Sequence, residues 1–198
     1  MPRLMTLPPK GDWDSFGTAQ QVAVNTWLAQ VVAQAQAAPD DDTRRKVGLW
    51  VRGSRASGTT TLASTAADRA YKDADCGITQ PEYITAYDAS ELVKQAWNEA
   101  KNDPLDDAVW LEGQVTEKRL DFLWDECDLL WLDDLHLNAV SGTFLQNHLF
   151  PRLERRVKAG LPTVISTSLT DRNLGDVLGV IQAWFVVVDL RPDHGWDD

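Results

Sequence analysis

A short apolar segment, a glycine-bounded loop and a helix-forming segment follow one another directly, and this order constrains the fold more than any other feature. Residues 47–52 are apolar enough for a buried strand, Gly53 and Gly58 bound the loop, and residues 62–71 form the helix. Backbone N–H groups of such a loop surround an anion, and the helix dipole strengthens the attraction. Because the glycine spacing fits the motif G-x-x-x-x-G-K-[ST], we predict a phosphate-binding loop.

The loop departs from that motif at Thr59, which stands where lysine is expected. The lysine normally reaches the β- and γ-phosphates and neutralises their charge. Two interpretations stay open. In the first, the loop binds nucleotide through backbone amides, Mg²⁺ and a substitute cation, with Arg55 and Arg52 as the nearest candidates. In the second, it is a relic that binds weakly or not at all, and a turn that only joins strand to helix explains the loop equally well. The predicted nucleotide contacts are Gly53, Ser54, Arg55, Ala56, Ser57, Gly58, Thr59, Thr60 and Thr61.

A second apolar segment, residues 129–132, ends in Asp133 and Asp134. The C-terminal ends of parallel strands are where α/β sheets bind ligands. We predict that Asp133 holds Mg²⁺ through water, together with the hydroxyl of Thr60. Asp134 is predicted to polarise the attacking water, which makes the two aspartates the candidate catalytic residues. The alternative is a pair of exposed loop acids, since the chain has 30 acidic residues.

Strand-forming and helix-forming segments alternate along the rest of the chain. Such alternation predicts a parallel sheet with helices on both faces. Further strands are predicted at residues 83–87, 162–167 and 183–190, and helices at residues 13–37, from Asp88 or Ser90 to 101, and at 114–126, 141–158 and 173–181.

Three residues near the later strands have specific predicted roles. Pro151 predicts a kink inside its helix, and Gly160 the end of that helix. Ser168 follows a strand that ends in small hydroxyl residues, and we predict that it contacts the γ-phosphate as a sensor.

Charge and cysteine content narrow the functional classes. A formal net charge of −11 argues against broad nonspecific DNA binding, which needs Lys and Arg to neutralise phosphates. Cys76 and Cys127 form no metal-ligand spacing, so we predict reduced thiols in a cytoplasmic protein. No apolar run approaches the ~20 residues of a membrane span, so no membrane partner is expected.

We expect residues 1–12 to form an arm, residues 13–190 one domain and residues 191–198 an acidic tail.

In chain order these segments resemble the ATPase domain of the DnaC and IstB helicase-loader family, in the initiator branch of AAA+ proteins. The resemblance covers roughly residues 13–190. The most specific match is residues 127–135, which contain the two aspartates. The other matching segments are residues 47–63, 83–96, 162–168 and 173–179. The compact, Trp-rich character of the chain suggests a phage or mobile-element origin.

The resemblance implies a three-layer P-loop NTPase fold of the AAA+ type, with a central, mainly parallel sheet flanked by helices. It implies ATP and Mg²⁺ as ligands and a replicative helicase or another protein as partner. Single-stranded DNA is a further expected partner. Subunits of that family associate so that one presents an arginine to the next, which implies a homo-oligomer. We expect no C-terminal lid domain after residue 190.

Because of two departures from the family pattern, the sequence is compatible both with a chain that hydrolyses ATP and with one that does not. Thr59 replaces the lysine, and residues 181–183, Ile-Gln-Ala, stand where the family has its arginine finger. One hypothesis is therefore an ATPase that loads a helicase or remodels a nucleoprotein. The alternative is a non-hydrolysing adaptor that binds a helicase or another protein. A small-molecule kinase fits less well, because those enzymes usually keep the lysine and add a basic lid.

Overall fold

Five parallel strands form a single sheet in the order β2-β3-β4-β1-β5. Their bounds are β1 Gly48–Arg52, β2 Pro81–Thr85, β3 Leu129–Leu135, β4 Thr163–Thr167 and β5 Phe185–Asp189. The computed structural model describes residues 10–38, 41, 43, 45–54, 56–99, 116–137 and 140–190. The predicted tail, most of the predicted arm and Arg55 lie outside these ranges.

Helices cover both faces of the sheet. They are α1 Thr18–Ala35, α2 Thr59–Lys72, α3 Ala86–Glu99, α4 at residues 116–121, α5 Gly142–Phe144, α6 Phe150–Lys158, α7 Asp171–Leu174 and α8 Leu178–Trp184. Turns of π-helix extend α4 (Phe122–Glu126) and join α5 to α6 (Leu145–Leu149), and 3-10 turns lie at Trp13–Ser15, Ala74–Cys76 and Gly175–Val177. None of the described helices has both the length and the apolar character needed to cross a membrane.

The alternation of side chains along the strands produces two cores. In β1, Leu49 and Val51 face α1 and α2, whereas Trp50 faces the layer that contains α3, α6 and α8. Successive side chains of a strand point to opposite faces, so a strand buried on both faces is apolar throughout. The predicted three-layer α/β architecture with a parallel sheet is confirmed.

The strand order places a ligand-binding crevice beside β1. From β1 the chain crosses through α2 to β2 at one edge, and from β4 it crosses through α7 and α8 to β5 at the other edge. The direction of winding therefore changes between the neighbouring strands β1 and β4. In open α/β sheets, ligands bind at the carboxyl ends of the strands at such a switch point.

Several predicted element boundaries need correction: α8 extends to Trp184, so β5 begins at Phe185 and not at residue 183, and β3 extends to Leu135. Helix α3 begins at Ala86, so Tyr87 is helical and not part of the strand. The Thr85 hydroxyl accepts the N–H of Asp88 at 3.1 Å, which satisfies a donor that the first helical turn leaves free. Thr85 therefore has the capping role that the sequence assigned to Asp88 or Ser90.

The helix around Pro151 changes its hydrogen-bond register before the proline. The π-helical turn Leu145–Leu149 precedes α6, which carries Pro151 in its first turn, where the missing N–H has no cost. The predicted irregularity is present, but it lies in that preceding turn. Gly160, with φ +78°, ends the helix as predicted, and the N–H of Leu161 returns to the carbonyl of Arg156 at 3.1 Å.

Candidate nucleotide-binding site

The predicted phosphate loop connects the carboxyl end of β1 to the first turn of α2. The N–H of Gly53 donates to the carbonyl of Thr167 in β4 at 3.0 Å, which fixes the start of the loop to the sheet. A Cβ atom at Gly53 would lie 2.3 Å from the hydroxyl oxygen of Ser57, so any other residue there would force the Ser57 side chain to move. Gly58, with φ +88°, adopts the left-handed conformation that turns the chain into α2.

The first turn of α2 points into the same crevice. The first N–H groups of a helix have no partner within it, and the helix dipole makes them attractive to an anion. Thr59 occupies the first position of α2, and Thr60 the second. The side chain of Thr61 turns the other way, toward Gly11 of the N-terminal segment.

Asp133 lies at the centre of a network of hydroxyl groups. Its Oδ1 accepts hydrogen bonds from the hydroxyls of Thr60, at 3.0 Å, and of Ser166. Its Oδ2 accepts a hydrogen bond from the Tyr83 hydroxyl at 3.3 Å. Asp133 is buried, and a buried carboxylate needs such donors to offset the lost hydration. The contact with Thr60 joins the phosphate loop to β3, as the sequence predicted for a shared metal site.

Asp134 differs from Asp133 in both backbone and exposure. Its φ of +55° is in the left-handed region, and the pairing of β3 with β4 is irregular between Leu132 and Leu135. Its N–H donates to the Ser166 hydroxyl at 3.0 Å. The carboxylate is largely exposed and lies 3.4 Å from Nε2 of His136. The irregularity therefore turns the second aspartate outward while the first stays buried.

A pocket of about 110 Å³ lies between the loop and the ends of β3 and β4. It brings together residues from three separate segments of the chain, as expected for a phosphate site at a switch point. Its lining consists of small, hydroxyl and carboxylate side chains, namely Gly53, Ser54, Ala56, Thr59, Thr60, Asp134, Ser166, Thr167 and Ser168.

Several solved structures share this architecture at low sequence identity. The replication initiator DnaA bound to AMPPCP and single-stranded DNA has a TM-score of 0.61 and 17% identity, over 95% of this chain and 52% of that chain. DnaI has a TM-score of 0.58 and 20% identity, over 96% and 94% of the two chains. The DnaC helicase loader has a TM-score of 0.51 and 19% identity, over 89% and 96%.

The chain has a DnaC-like AAA+ fold. It spans about half the length of the DnaA chain. No family model matches the sequence, and no curated protein is significantly similar to it. At these identities the structural likeness establishes the fold, and the chemistry of the site has to come from its own residues.

The AAA+ fold places Thr60 and Asp133 where they could hold a divalent cation. Their oxygens are 3.0 Å apart, and hydroxyl, carboxylate and water oxygens are the ligands that Mg²⁺ prefers. Across the described ranges, no three His, Cys, Asp or Glu side chains form a group that could hold a metal. The residues present therefore fit a cation that takes its remaining ligands from water and from the phosphates of a nucleotide, as Mg²⁺ usually does.

The positive charge of Arg52 is neutralised by two acidic side chains outside the phosphate loop. Its guanidinium is paired with Asp171 at the start of α7 and, at 3.0 Å, with Asp189 at the end of β5. These contacts tie β1, β5 and α7 together beside the loop. Of the two substitute cations that the sequence suggested, Arg52 is thus held by two carboxylates, and Arg55 lies outside the described residues.

Three residues of the site, Ser166, Thr167 and Tyr83, were missed in the sequence. Ser166 lines the pocket and contacts both aspartates, although Ser168, two residues later, was the predicted sensor. Tyr83 contacts Asp133 from the neighbouring strand β2. Ser166 and Thr167 belong to the predicted strand segment that ends in small hydroxyl residues, and this was the available signal for both. The contact of Tyr83 depends on the order of strands in the sheet, which the sequence alone does not give.

Proposed function

We propose that this chain is an AAA+ domain that binds ATP with Mg²⁺ and acts in DNA replication, as a helicase loader or a related nucleoprotein-remodelling factor. The observation that carries the proposal is the 3.0 Å contact between Thr60 and Asp133. It joins the glycine-bounded loop to an acidic strand end that lies 73 positions away in sequence. A turn that merely connects a strand to a helix has no need of that contact.

In this proposal, different residues of the site contact the phosphates and the cation. The loop between Gly53 and Gly58 and the first turn of α2 offer N–H groups to the β- and γ-phosphates. Thr60 and Asp133 hold the cation, which when bound neutralises charge that develops on the phosphates. Ser168, exposed at the rim of the pocket, contacts the γ-phosphate.

Asp134 is the candidate group for hydrolysis. Its carboxylate reaches out from the buried end of β3 and can accept a proton from a water molecule beside the γ-phosphate. A water held in line by this carboxylate is the nucleophile in the ATPase version of the proposal.

The structural neighbours support the ligands and partners that we propose. One of them, DnaA, is bound to AMPPCP, an ATP analogue, and to single-stranded DNA. Another, DnaC, is a helicase loader. We therefore propose a replicative helicase as the principal partner, single-stranded DNA as a second ligand and ATP-favoured self-association. Given a net charge of −11, any DNA contact has to rest on a local surface, and its affinity falls steeply with salt.

A non-hydrolysing adaptor is the second candidate function, and two observations favour it. Thr59 supplies no charge at the lysine position, and Arg52 is paired with two carboxylates. Lysine and arginine charges contribute much of the transition-state stabilisation in phosphoryl transfer. In this version the site binds nucleotide with Mg²⁺ and does not turn it over, and the fold presents a partner-binding surface.

The test is equilibrium binding of a fluorescent ATP analogue in the presence of Mg²⁺. We expect the wild type to bind, and Asp133→Ala and Gly58→Asp to lose binding. The first variant removes the cation ligand, and the second puts a negative charge and a strained residue in the loop. Asp125→Ala is the control, because Asp125 pairs with Arg155 on α6, away from the site. Absence of binding by the wild type up to millimolar nucleotide would overturn the proposal.

Steady-state phosphate release separates the two versions of the function. The ATPase version predicts Mg²⁺-dependent turnover, stimulated by single-stranded DNA or helicase, that Asp134→Asn abolishes without loss of nucleotide binding. The adaptor version predicts tight binding with no turnover under any of these conditions.

A further inference from the structure

Tyr83 approaches the buried aspartate from the edge of the sheet. Tyr83 lies in β2, directly opposite Trp131 of β3. Two residues further along the same two strands, Thr85 lies opposite Asp133. Tyr83, Trp131 and Asp133 therefore share the face of the sheet covered by α2. The ring of Tyr83 lies 4.6 Å from that of Trp131, centroid to centroid, with the planes tilted by 56°. This packing directs the hydroxyl toward Oδ2 of Asp133.

The Tyr83 hydroxyl is a hydrogen-bond donor in this contact. A carboxylate can only accept a hydrogen bond and a phenol keeps its proton at neutral pH, so the hydroxyl is the donor to Asp133. Asp133 accepts at both oxygens, with two hydroxyls on Oδ1 and Tyr83 on Oδ2. Thr60 and Ser166 hold only Oδ1, so Tyr83 is the contact that holds Oδ2 and fixes the rotation of the carboxylate about the Cβ–Cγ bond.

We propose that Tyr83 is a positioning residue for Asp133 and thereby sets the concentration of divalent cation that nucleotide binding requires. This inference rests on the proposed function, because it concerns the same nucleotide site. Groups that hydrogen-bond to a metal ligand fix its orientation, and their removal weakens metal binding although they never touch the metal. The hydroxyl of Tyr83 does this for the side of Asp133 that faces away from the phosphate loop.

The experiment measures the Mg²⁺ concentration that half-saturates binding of the fluorescent ATP analogue. Tyr83→Phe keeps the ring against Trp131 and removes only the hydroxyl. We expect the Mg²⁺ requirement to rise about tenfold. Nucleotide affinity in EDTA should not change, because the loop itself is intact.

The chain offers two matched controls, since it has only three tyrosines. Tyr71 and Tyr87 are 51% and 55% exposed, and Tyr71→Phe and Tyr87→Phe should titrate with Mg²⁺ as the wild type does. Tyr83→Leu removes ring and hydroxyl together. A positioning role predicts that Phe and Leu raise the Mg²⁺ requirement by similar factors, whereas a packing role predicts a change for Leu alone.

The outcomes separate this inference from the proposed function. If Mg²⁺ tightens nucleotide binding by the wild type and Tyr83→Phe titrates like Tyr87→Phe, the positioning role is wrong and the nucleotide site stands. If the wild type binds no nucleotide with or without Mg²⁺, the proposed function fails, and the role of Tyr83 fails with it.

Discussion

Asp134 holds a backbone conformation that most side chains avoid. Its φ of +55° places it in the left-handed region, where aspartate and asparagine are tolerated better than other residues with a Cβ atom. Strained residues of this kind concentrate at functional sites, where the surrounding structure holds them. Here the N–H of Asp134, bound to Ser166, and the irregular pairing of β3 supply that support.

The strain at Asp134 predicts an unusual order of substitutions. Asp134→Gly should change the free energy of unfolding by less than about 1 kcal/mol, because glycine adopts this φ without a steric penalty. Asp134→Val should lower it by about 1–2 kcal/mol, because a β-branched side chain is strained there. Urea unfolding measures both, and equal stability of the two variants would show that the left-handed conformation costs nothing.

Thr59 leads to a gain-of-function prediction. Thr59→Lys places an ammonium group at the first position of α2, beside a pocket whose described lining has no cation. Charge-assisted hydrogen bonds to phosphate should tighten nucleotide binding in EDTA about tenfold or more. A positive charge at a helix N-terminus costs at most about 1 kcal/mol of stability.

Thr61→Lys is the control for that substitution. It adds the same charge two residues later, where the side chain points toward Gly11 and away from the pocket. Binding of the fluorescent ATP analogue without metal should improve for Thr59→Lys only. Equal gains in both variants would mean that the charge acts nonspecifically, and no gain in either would speak against a phosphate at the loop.

At the scale of elements, Arg156 of α6 connects the end of the α4 segment to β4. It is fully buried, and its guanidinium donates to the carbonyls of Leu123, Cys127 and Pro162 and to the hydroxyl of Thr163 at 2.5–3.2 Å. Carbonyls at the end of a helix carry partial negative charge, which offsets part of the desolvation of the arginine. Burial lowers the pKa of Arg156, the direction expected for a cation removed from water.

Adjacent arginines allow a direct comparison of buried and exposed charge. Arg156→Met should lower the free energy of unfolding by about 3–5 kcal/mol, because it leaves several buried carbonyls without donors. Arg155→Met should cost under about 1 kcal/mol, since Arg155 is 61% exposed and forms one surface ion pair with Asp125. The measurement is the urea concentration at which half of each variant is unfolded. Similar losses of stability in both variants would contradict this account.

The local pattern of apolar residues in the sequence was sufficient to predict most helices and strands of this fold. Short, continuous apolar runs and helical segments with three- and four-residue spacing follow from burial, so β1, β4 and α2 could be placed from the sequence within a few residues. Tyr87 was assigned to a strand because residues 83–87 are rich in β-formers, but the hydroxyl of Thr85 starts a helix there. A single capping contact overrides a weak strand preference.

The residues of the candidate site that belong to one local segment could be predicted from the sequence. The residues that reach the site from neighbouring strands could not. Gly53 and Gly58 belong to one loop, and Asp133 directly follows the apolar residues 129–132 of β3, so spacing and context predicted them. Tyr83 and Ser166 join the site because β2 and β4 flank β3, which is a consequence of strand order. The pairing of Arg52 with Asp171 and Asp189 likewise joins three separate segments, and no local pattern encodes it.

At the scale of the whole molecule, the described residues form two apolar cores that share one sheet. Cys76 is part of the core under α1 and α2, and Cys127 part of the core on the opposite face. Strands β1, β3 and β4 contribute side chains to both cores, so neither face can lose its packing without exposing the other side of the same strands. Because the two cores share these strands, we expect them to unfold as one cooperative unit.

The two cysteines report on that cooperativity. Both thiols are free, and burial raises the pKa of each from 9.0 to about 11, which lowers the reactive thiolate at pH 8 about a hundredfold. We expect native protein at pH 8 to react slowly with iodoacetamide, and both cysteines to become reactive at the same urea concentration. Peptide mapping by mass spectrometry follows the two sites separately in one sample. If Cys76 became reactive at lower urea than Cys127, the α1 and α2 layer would unfold on its own, and the sheet would not couple the two faces.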